Sequence, residues 1–378
     1  MSGTFQMLVT PAFWVYVLII LIAMGFVCLY KHSGKIAYYR LSFLVVYLFI
    51  CLSKTGTDIP TYVAIYKNSQ LTWQYIVSFM QGYYGFSALT AILHNFISDP
   101  YVGLAFIKFT TLMIVYYTLY RAREKLDIGW SLFIYLSLYY LYSFSAIKWA
   151  LSGALCLLAS MLYAERKNKR ALFFSVIGAS IHPSCWIYVV GLVVALFFRL
   201  GGRYSKAKRW LLIIGGIVFC VFGTYIVQYA LITFNIVSES RYQNYIGTYS
   251  LGIMQLLYYI PIFALIIAGS KYKETREYGN AATVFAIEGF SVALLGYAIG
   301  QLGRLDFSFS FPLLIYIPNY LKYKSVGLTL SSGKGPRIRF DKKLLKIAVA
   351  CYVILRALIF TSGVFYSSGL DKISFVWQ

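Results

Sequence analysis

Long apolar runs alternate with short polar gaps along most of this chain. A helix needs about 20 apolar residues to cross a hydrocarbon core of roughly 30 Å. Lipid offers no hydrogen-bond partners, so such runs must be helices that satisfy their own backbone groups. The pattern predicts about twelve membrane helices, at 13–30, 36–53, 101–120, 129–144, 149–164, 171–181, 184–198, 210–230, 252–270, 281–300, 307–321 and 344–362.

Composition leads to the same class of protein. Hydrophobic residues make up 60% of the 378 residues and charged residues only 12%, which is far from the composition of a soluble domain. The first run follows an uncharged stub, Met1 to Thr10, without a basic leader, so we expect a retained helix. We predict an all-α, polytopic integral membrane protein in which residues 1–378 form a single transmembrane domain.

The basic residues fill alternate gaps between the runs. Most of the 34 Lys and Arg lie in the gaps 31–35, 121–127, 164–170, 199–209, 271–277 and 322–346. The positive-inside rule places these gaps in the cytoplasm and both chain termini outside. Two outer loops follow, 54–100 and 231–251, and 322–346 becomes a flexible basic cytoplasmic loop. The net charge of +22 therefore suits anionic membrane lipids rather than nucleic acid.

The segment 171–198 does not fit a simple pattern in which successive gaps lie on opposite sides of the membrane. Basic blocks flank it on both ends, so one straight helix would put two cytoplasmic ends on opposite sides of the membrane. A hairpin of two short helices removes the conflict, with its turn at 181–184, because a proline disfavours helix in the residue before it. The hairpin would place His182 at the floor of a cavity that opens outwards.

A few cations converge on the outer face, which is otherwise poor in positive charge. Lys54, Lys148, Arg241 and Arg304 come from four separate segments, and His182 comes from a fifth. Arg and Lys bind phosphate oxygens, so this set favours an anionic ligand at the outer leaflet, most naturally a lipid-linked pyrophosphate. No HExxH, DxD or Walker sequence is present, so the sequence indicates neither a metal nor a nucleotide cofactor.

Three candidate residues also have a purely structural interpretation. Asp58 can serve as a helix N-cap ahead of Pro60. Arg304 can pair locally with Asp306, and Lys148 can extend to the lipid headgroups.

Several ordered motifs resemble those of the Wzy-type polysaccharide polymerases, especially their EpsG-like branch. The Lys54-Thr-Gly-Thr-Asp58 stretch with Tyr62 is similar to the family's Arg-x-Gly-x-Gly-Thr-Asp-x-x-x-Tyr, with Lys in place of Arg. Gly82-Tyr-Tyr-Gly-Phe86 resembles its Glu-x-Gly-Phe, with Gln81 where an acid is common. Further similarities are Lys148 at an Ile-Arg-Gln position, the 181–184 turn, Arg241-Tyr242-x-x-Tyr245 and the late Arg304.

The resemblance implies block transfer of glycan at the periplasmic face of the bacterial inner membrane. A growing chain would leave its undecaprenyl diphosphate and join a new lipid-linked repeat unit, without metal or cofactor. We expect catalytic roles for Asp58, His182, Arg241 and Arg304, and substrate-binding roles for Lys54, Tyr62, Lys148, Tyr242, Tyr245 and Asp306. Asp58 is the preferred base, ahead of Asp306 and Glu239. A chain-length regulator is a further expected partner.

Two other functions stay open at this point. A flippase or exporter for lipid-linked sugars would also need a cationic cavity, but it would be expected to show two related halves. An O-antigen ligase would share the chemistry, but we would expect a larger outer loop rich in arginine. The sugars, the linkage formed and the choice between O-antigen and capsule are not encoded in any motif of the chain.

Overall fold

The structure is a computed structural model that describes residues 6–78, 82–198, 206–208, 210–218, 222, 258–269, 273–295, 308–309, 312–323, 328–330, 338–340, 342–366 and 369–371. The helices of the first half are α1 (Pro11–Ser33), α2 (Ile36–Cys51), α3 (Ile59–Lys67), α4 (Trp73–Ser78), α5 (Tyr84–Phe96), α6 (Pro100–Arg121), α7 (Ile128–Leu138), α8 (Tyr142–Ser145), α9 (Ile147–Ala164) and α10 (Asn168–Ile181).

The second half continues the helical pattern. A 3₁₀ turn (Pro183–Cys185) leads into α11 (Trp186–Phe197), and residues 210–218 are also helical. Then come α12 (Tyr259–Gly269), α13 (Lys273–Leu295), a π-helical turn (Pro312–Tyr316), α14 (Ile317–Lys322) and α15 (Lys342–Val364). Helices thus lie where the apolar runs predicted them in the described ranges. The predicted outer loop 231–251 lies outside these ranges.

Three helices in the described part of the chain, α1, α6 and α9, are long and apolar enough to cross a membrane. Shorter apolar helices include α2, α7 and 183–197. Helix α1 buries Phe13, Ile20 and Val27 on one stripe, while Trp14 and Leu21 on the other face are more than half exposed. An apolar exposed face is what lipid contact requires. The chain is a membrane protein, and its twelve crossings stay a prediction.

Two short strands are an exception to the predicted all-α class. Strand β1 (Leu328–Leu330) pairs antiparallel with β2 (Ile338–Phe340), and Leu328 lies opposite Phe340. They fall within the basic loop 322–346, where we had expected a flexible connector. The stretch between the strands carries Gly and Pro, which disfavour helix, so these backbone groups bond across a hairpin instead.

The chain divides into two compact units. Unit 1 comprises Met1–Leu158, Ser180–Pro183 and Lys343–Gln378, and unit 2 comprises Ala159–Ala179 and Ser184–Lys342. In unit 1, α1 packs against α2 and α7, and α2 packs against α6. In unit 2, the rings of Tyr188 and Phe285 stack with centroids 5.5 Å apart, and the Tyr188 hydroxyl lies 2.6 Å from the Ser160 hydroxyl. The interpretation of 1–378 as one transmembrane domain stays a prediction.

An ion pair joins the end of α1 to the start of α7. The Lys31 ammonium lies 2.7 and 2.9 Å from the two carboxylate oxygens of Asp127. The same carboxylate caps α7 by accepting from the backbone N–H groups of Gly129 and Trp130. Asp127 therefore satisfies free donors at the helix start and fixes the neighbouring helix end.

Replacing Asp127 by alanine should lower the free energy of unfolding by about 1–2 kcal/mol, most of it from the lost cap. Asp127→Asn should cost much less, because asparagine is an equally good N-cap and only the partly exposed ion pair is lost. Thermal unfolding in detergent measures both variants. Equal losses in the two variants would show that the ion pair, and not the cap, is the main contribution.

Candidate functional site

The loop that follows α2 is held in place from both sides within unit 1. On one side the buried Lys108 ammonium donates to the carbonyl oxygens of Ile50, at 3.1 Å, and Ser53, at 3.5 Å. A cation at the end of a helix satisfies carbonyls that have no partner within the helix. Lys108 therefore fixes the point at which α2 ends and the loop carrying Lys54 to Asp58 begins.

On the other side the loop packs against α8. Gly56 has a φ of +135°, and a side-chain carbon added there would lie 2.6 Å from the Phe144 carbonyl oxygen and 3.0 Å from the Ser145 Cα. Next to it, the Thr57 and Ser145 hydroxyls lie 3.1 Å apart. Only glycine allows both this backbone conformation and this close approach. The loop is thereby set directly against the segment that leads into α9.

Asp58 occupies the N-cap position of α3 but does not act as a cap. Its backbone is helical, with φ −88° and ψ −8°, and its side chain makes no capping hydrogen bond. A capping residue normally has extended backbone, which directs its side-chain oxygen at the N–H groups of the first turn. The structural interpretation of Asp58 as an N-cap is therefore wrong, and the exposed carboxylate is available for other contacts.

The Lys148 ammonium lies among three aromatic rings. Its nitrogen is 4.0 Å from the ring centroid of Tyr83, 5.5 Å from that of Tyr62 and 5.6 Å from that of Phe86. We call these three rings and the ammonium the aromatic cage. The faces of aromatic rings carry partial negative charge and attract a cation by about 0.5–2 kcal/mol. Lys148 lies at the start of α9. The rings that hold it come from α3 (Tyr62), from α5 (Phe86) and from the residue directly before α5 (Tyr83).

Asp58 contributes negative charge to this cluster. Its carboxylate interacts electrostatically with Lys148 and with the phenol of Tyr62. Burial raises the pKa of Tyr62 well above its ordinary value, and the Asp58 charge raises it further. The Tyr62 hydroxyl therefore stays protonated and can donate a hydrogen bond. The cluster joins a carboxylate, an ammonium and a phenol within unit 1.

The turn that carries His182 packs against the Gly82–Phe86 stretch. Helix α10 ends at Ile181, and the 3₁₀ turn begins at Pro183, which agrees with the turn predicted at 181–184. A side-chain carbon at Gly82 would lie 3.1 Å from the Pro183 ring, and one at Gly85 would lie 2.9 Å from the Ser180 carbonyl carbon. The two glycines let two segments almost 100 residues apart in sequence come into contact.

His182 lies edge-on to Tyr83. Their ring centroids are 5.4 Å apart, and the ring planes are nearly perpendicular, at 88°. Burial, and then the positive charge of Lys148, lower the pKa of His182 to about 4. The imidazole is therefore neutral at pH 7, so it can accept a proton but adds no positive charge to the cluster.

The structure brings four of the predicted site residues together, namely Asp58, Tyr62, Lys148 and His182. Lys54 makes a different contact, because its ammonium lies 5.4 Å from the ring centroid of Tyr101 on α6. The other predicted site residues lie outside the described part of the chain: Arg241, Tyr242, Tyr245, Arg304 and Asp306, together with Glu239. Within the described ranges, no three His, Cys, Asp or Glu side chains come together as a potential metal site.

One comparison with known proteins identifies the family. The model of the EpsG family matches residues 36–330, most of the chain, including all four clustered residues. The chain belongs to the EpsG family. No curated protein and no solved structure matches it significantly.

Membership in the EpsG family confirms the resemblance seen in the sequence motifs. The family indicates a polymerase-like membrane protein of polysaccharide biosynthesis, with glycosyltransferase-like activity in general. In this EpsG-family chain, sequence reasoning did not single out Tyr83, although that residue contacts both Lys148 and His182. The sequence did contain a signal for this contact, because Gly82 and Gly85 lie on either side of Tyr83 and Tyr84. Glycine is common where another backbone segment approaches closely, so this pair indicates a packed contact at the two tyrosines.

Proposed function

We propose that this protein is a polysaccharide polymerase, for O-antigen, capsule or another exopolysaccharide, at the periplasmic face of the bacterial inner membrane. It would transfer the growing glycan from its undecaprenyl diphosphate carrier onto a new lipid-linked repeat unit. The observation that supports this most is the aromatic cage around Lys148, together with His182 and the charge of Asp58 beside it, in an EpsG-family chain. These are a carboxylate, an ammonium and a neutral imidazole on three separate segments.

The reaction would need no metal or nucleotide, because the lipid diphosphate is already an activated leaving group. A hydroxyl at the non-reducing end of the acceptor unit attacks the anomeric carbon of the growing chain. The bond from that carbon to the diphosphate oxygen breaks, and the carrier leaves as undecaprenyl diphosphate. The hydroxyl proton passes to a protein base. A new glycosidic bond replaces the glycosyl–phosphate bond, so the chain grows by one unit in each turnover.

Charge would decide which residue assists which step. Developing negative charge on the diphosphate is stabilised by cations placed beforehand in a cavity of low dielectric constant. Lys148 fits that role, and we assign Arg241 and Arg304 to it as well. Asp58 is our preferred base, since its carboxylate is exposed and makes no capping bond. Asp306 is the second candidate base and Glu239 the third, and the neutral imidazole of His182 would bind the diphosphate or assist the proton transfer.

The remaining predicted residues would bind the sugars. Tyr242 and Tyr245 offer hydroxyl groups and ring faces. Tyr62 offers its hydroxyl group, since its ring packs against Phe86 and Lys148, and Lys54 offers a further cation at the end of α2. Membrane lipids surround the protein in this proposal, and a chain-length regulator is an expected partner. The predicted topology of about twelve membrane crossings would place the 54–100 loop on the outer side, and the turn at 181–184 of the hairpin would point towards that side.

The test is polymerisation by the purified protein in lipid vesicles supplied with undecaprenyl-diphosphate-linked repeat units. We expect a ladder of glycans, one undecaprenyl diphosphate released for each bond formed, and no effect of a metal chelator. Lys148→Met should reduce the rate roughly 100-fold, as expected for loss of a charge that stabilises a leaving group. Lys148→Arg should retain most activity because it keeps the cation, and Lys67→Met, on the exposed end of α3, serves as the control.

The same assay separates the alternatives. A flippase or exporter would move the lipid-linked units across the vesicle membrane without forming a bond. A ligase would transfer glycan onto a lipid core acceptor without building a ladder. Bond formation that stops when the chelator is added would contradict the metal-independent mechanism, and an unchanged rate in Lys148→Met would remove Lys148 from the site.

A further inference from the structure

Tyr83 lies between two of the proposed site residues. Its ring face lies 4.0 Å from the Lys148 ammonium, closer than either of the other two rings in the aromatic cage. The same ring meets the His182 imidazole edge-on at 5.4 Å. Among the described residues, Tyr83 is thus in ring contact with a side chain at the start of α9 and with another in the turn after α10.

The backbone around Tyr83 is built to hold this position. Gly82 immediately precedes it with a φ of +84°, a conformation that residues with side chains rarely adopt. Gly85 follows two residues later and allows the first turn of α5 to lie directly against Ser180 and Ile181. A segment fixed on both sides of Tyr83 restricts the positions that its ring can take.

We propose that Tyr83 is a positioning residue whose ring fixes the Lys148 ammonium and the His182 imidazole relative to each other. The face of the ring attracts the ammonium, while the perpendicular contact with the imidazole is a favoured aromatic geometry. A lysine side chain has four rotatable carbons and needs such a partner to occupy one place. The relevance of this arrangement to glycan transfer rests on the function proposed above, whereas the arrangement itself does not.

The variants Tyr83→Phe and Tyr83→Leu distinguish the contribution of the ring from that of the hydroxyl group. Phenylalanine keeps the ring face and its edge, while leucine keeps apolar volume without a π system. The first measurement is the rate at which an amine-reactive acylating reagent labels Lys148 in membrane vesicles, read by mass spectrometry. Lys54 is labelled in the same sample and is the internal control, since its ammonium contacts Tyr101 instead.

We expect Lys148 in Tyr83→Leu to be acylated roughly fivefold faster than in the wild type, because the attraction of the ring for the ammonium is lost. Lys148 in Tyr83→Phe should react at the wild-type rate, and Lys54 should not change in either variant. If Tyr83→Leu does not accumulate in the membrane, Tyr83→Met carries the same comparison. An unchanged rate at Lys148 in the variant without the ring would overturn the proposal.

The second measurement is polymerisation in vesicles by the same variants. Tyr83→Leu should be about tenfold slower, as expected when a reacting group is no longer held in place, and Tyr83→Phe should stay within about twofold of the wild type. A phenylalanine variant as slow as the leucine variant would assign the role to the hydroxyl and overturn the proposal for the ring. If acylation behaves as expected but the wild type itself forms no polymer, the proposed function fails while the positioning role stands.

Discussion

Replacing Gly56 by alanine will abolish polymer formation and lower the thermal stability of the protein. The backbone at Gly56 has a φ of +135°, and the added methyl group would lie 2.6 Å from the Phe144 carbonyl oxygen and 2.9 Å from the Ile59 side chain. The nearest obstacle is backbone, so it cannot rotate away. Backbone strain and overpacking each cost about 1–3 kcal/mol, and both apply at this position.

The effect on activity follows from what Gly56 holds in place. The loop would have to move away from α8, which would break the contact between the Thr57 and Ser145 hydroxyls. Asp58 lies two residues further on, so its carboxylate would move relative to Lys148. We expect a loss of polymerisation beyond the limit of detection, measured as the glycan ladder in vesicles, together with a lower unfolding temperature in detergent.

Gly25→Ala is the matched control. Gly25 lies within α1, and a side-chain carbon added there meets nothing within 4 Å. Alanine in the middle of a helix stabilises by about 0.5–1 kcal/mol relative to glycine, so this variant should be slightly more stable and fully active. Normal polymer from Gly56→Ala would show that the loop can rearrange without consequence, and the geometry assigned to the Asp58 side of the site would be wrong.

Gly85→Ala will separate the His182 turn from α5. Two effects of opposite sign act at this helical position. Alanine favours helix by about 0.5–1 kcal/mol, but its methyl group would overlap the Ser180 hydroxyl and lie 2.9 Å from the Ser180 carbonyl carbon and 3.1 Å from the Ile181 nitrogen. Overpacking against backbone costs about 1–3 kcal/mol, so the unfavourable term is the larger one.

The expected result is a protein that reaches the membrane but polymerises more than tenfold more slowly, because a misplaced reacting group is costly even at about 1 Å. Combining Gly85→Ala with Ser180→Gly should restore only part of the rate, since the hydroxyl is removed and the backbone clash stays. Full recovery in the double variant would mean that the hydroxyl alone was the obstacle. An unaffected single variant would rule out a close packing of α5 on the turn.

The sequence predicted the local features of the candidate site well. The short helix after Asp58 was expected from the proline at its start, and α3 begins at Ile59. The turn between two short helices was expected from Pro183, and α10 ends at Ile181. Both depend on residues within a few positions of each other, where the fixed φ of proline and its missing N–H act directly on the backbone.

Other expectations were decided by contacts between distant segments. The position of Asp58 allowed an N-cap role as one interpretation, but a loop held by Lys108 and Gly56 sets a backbone conformation in which the side chain does not cap. Lys54 and Lys148 were grouped as outer cations, yet they contact different rings, Tyr101 in one case and chiefly Tyr83 in the other. The hydrophobic pattern carries no information about which rings approach which lysine.

By itself, the sequence determined that this is a helical membrane protein of the EpsG type, because long apolar runs have no other way to satisfy their backbone in lipid and because the family motifs are continuous stretches of residues. Only the tertiary structure decided that Tyr83 joins Lys148 to His182, and that Gly56 and Gly85 make room for these approaches. Such contacts depend on the packing of segments far apart along the chain, where the shape of both surfaces decides and local preference does not.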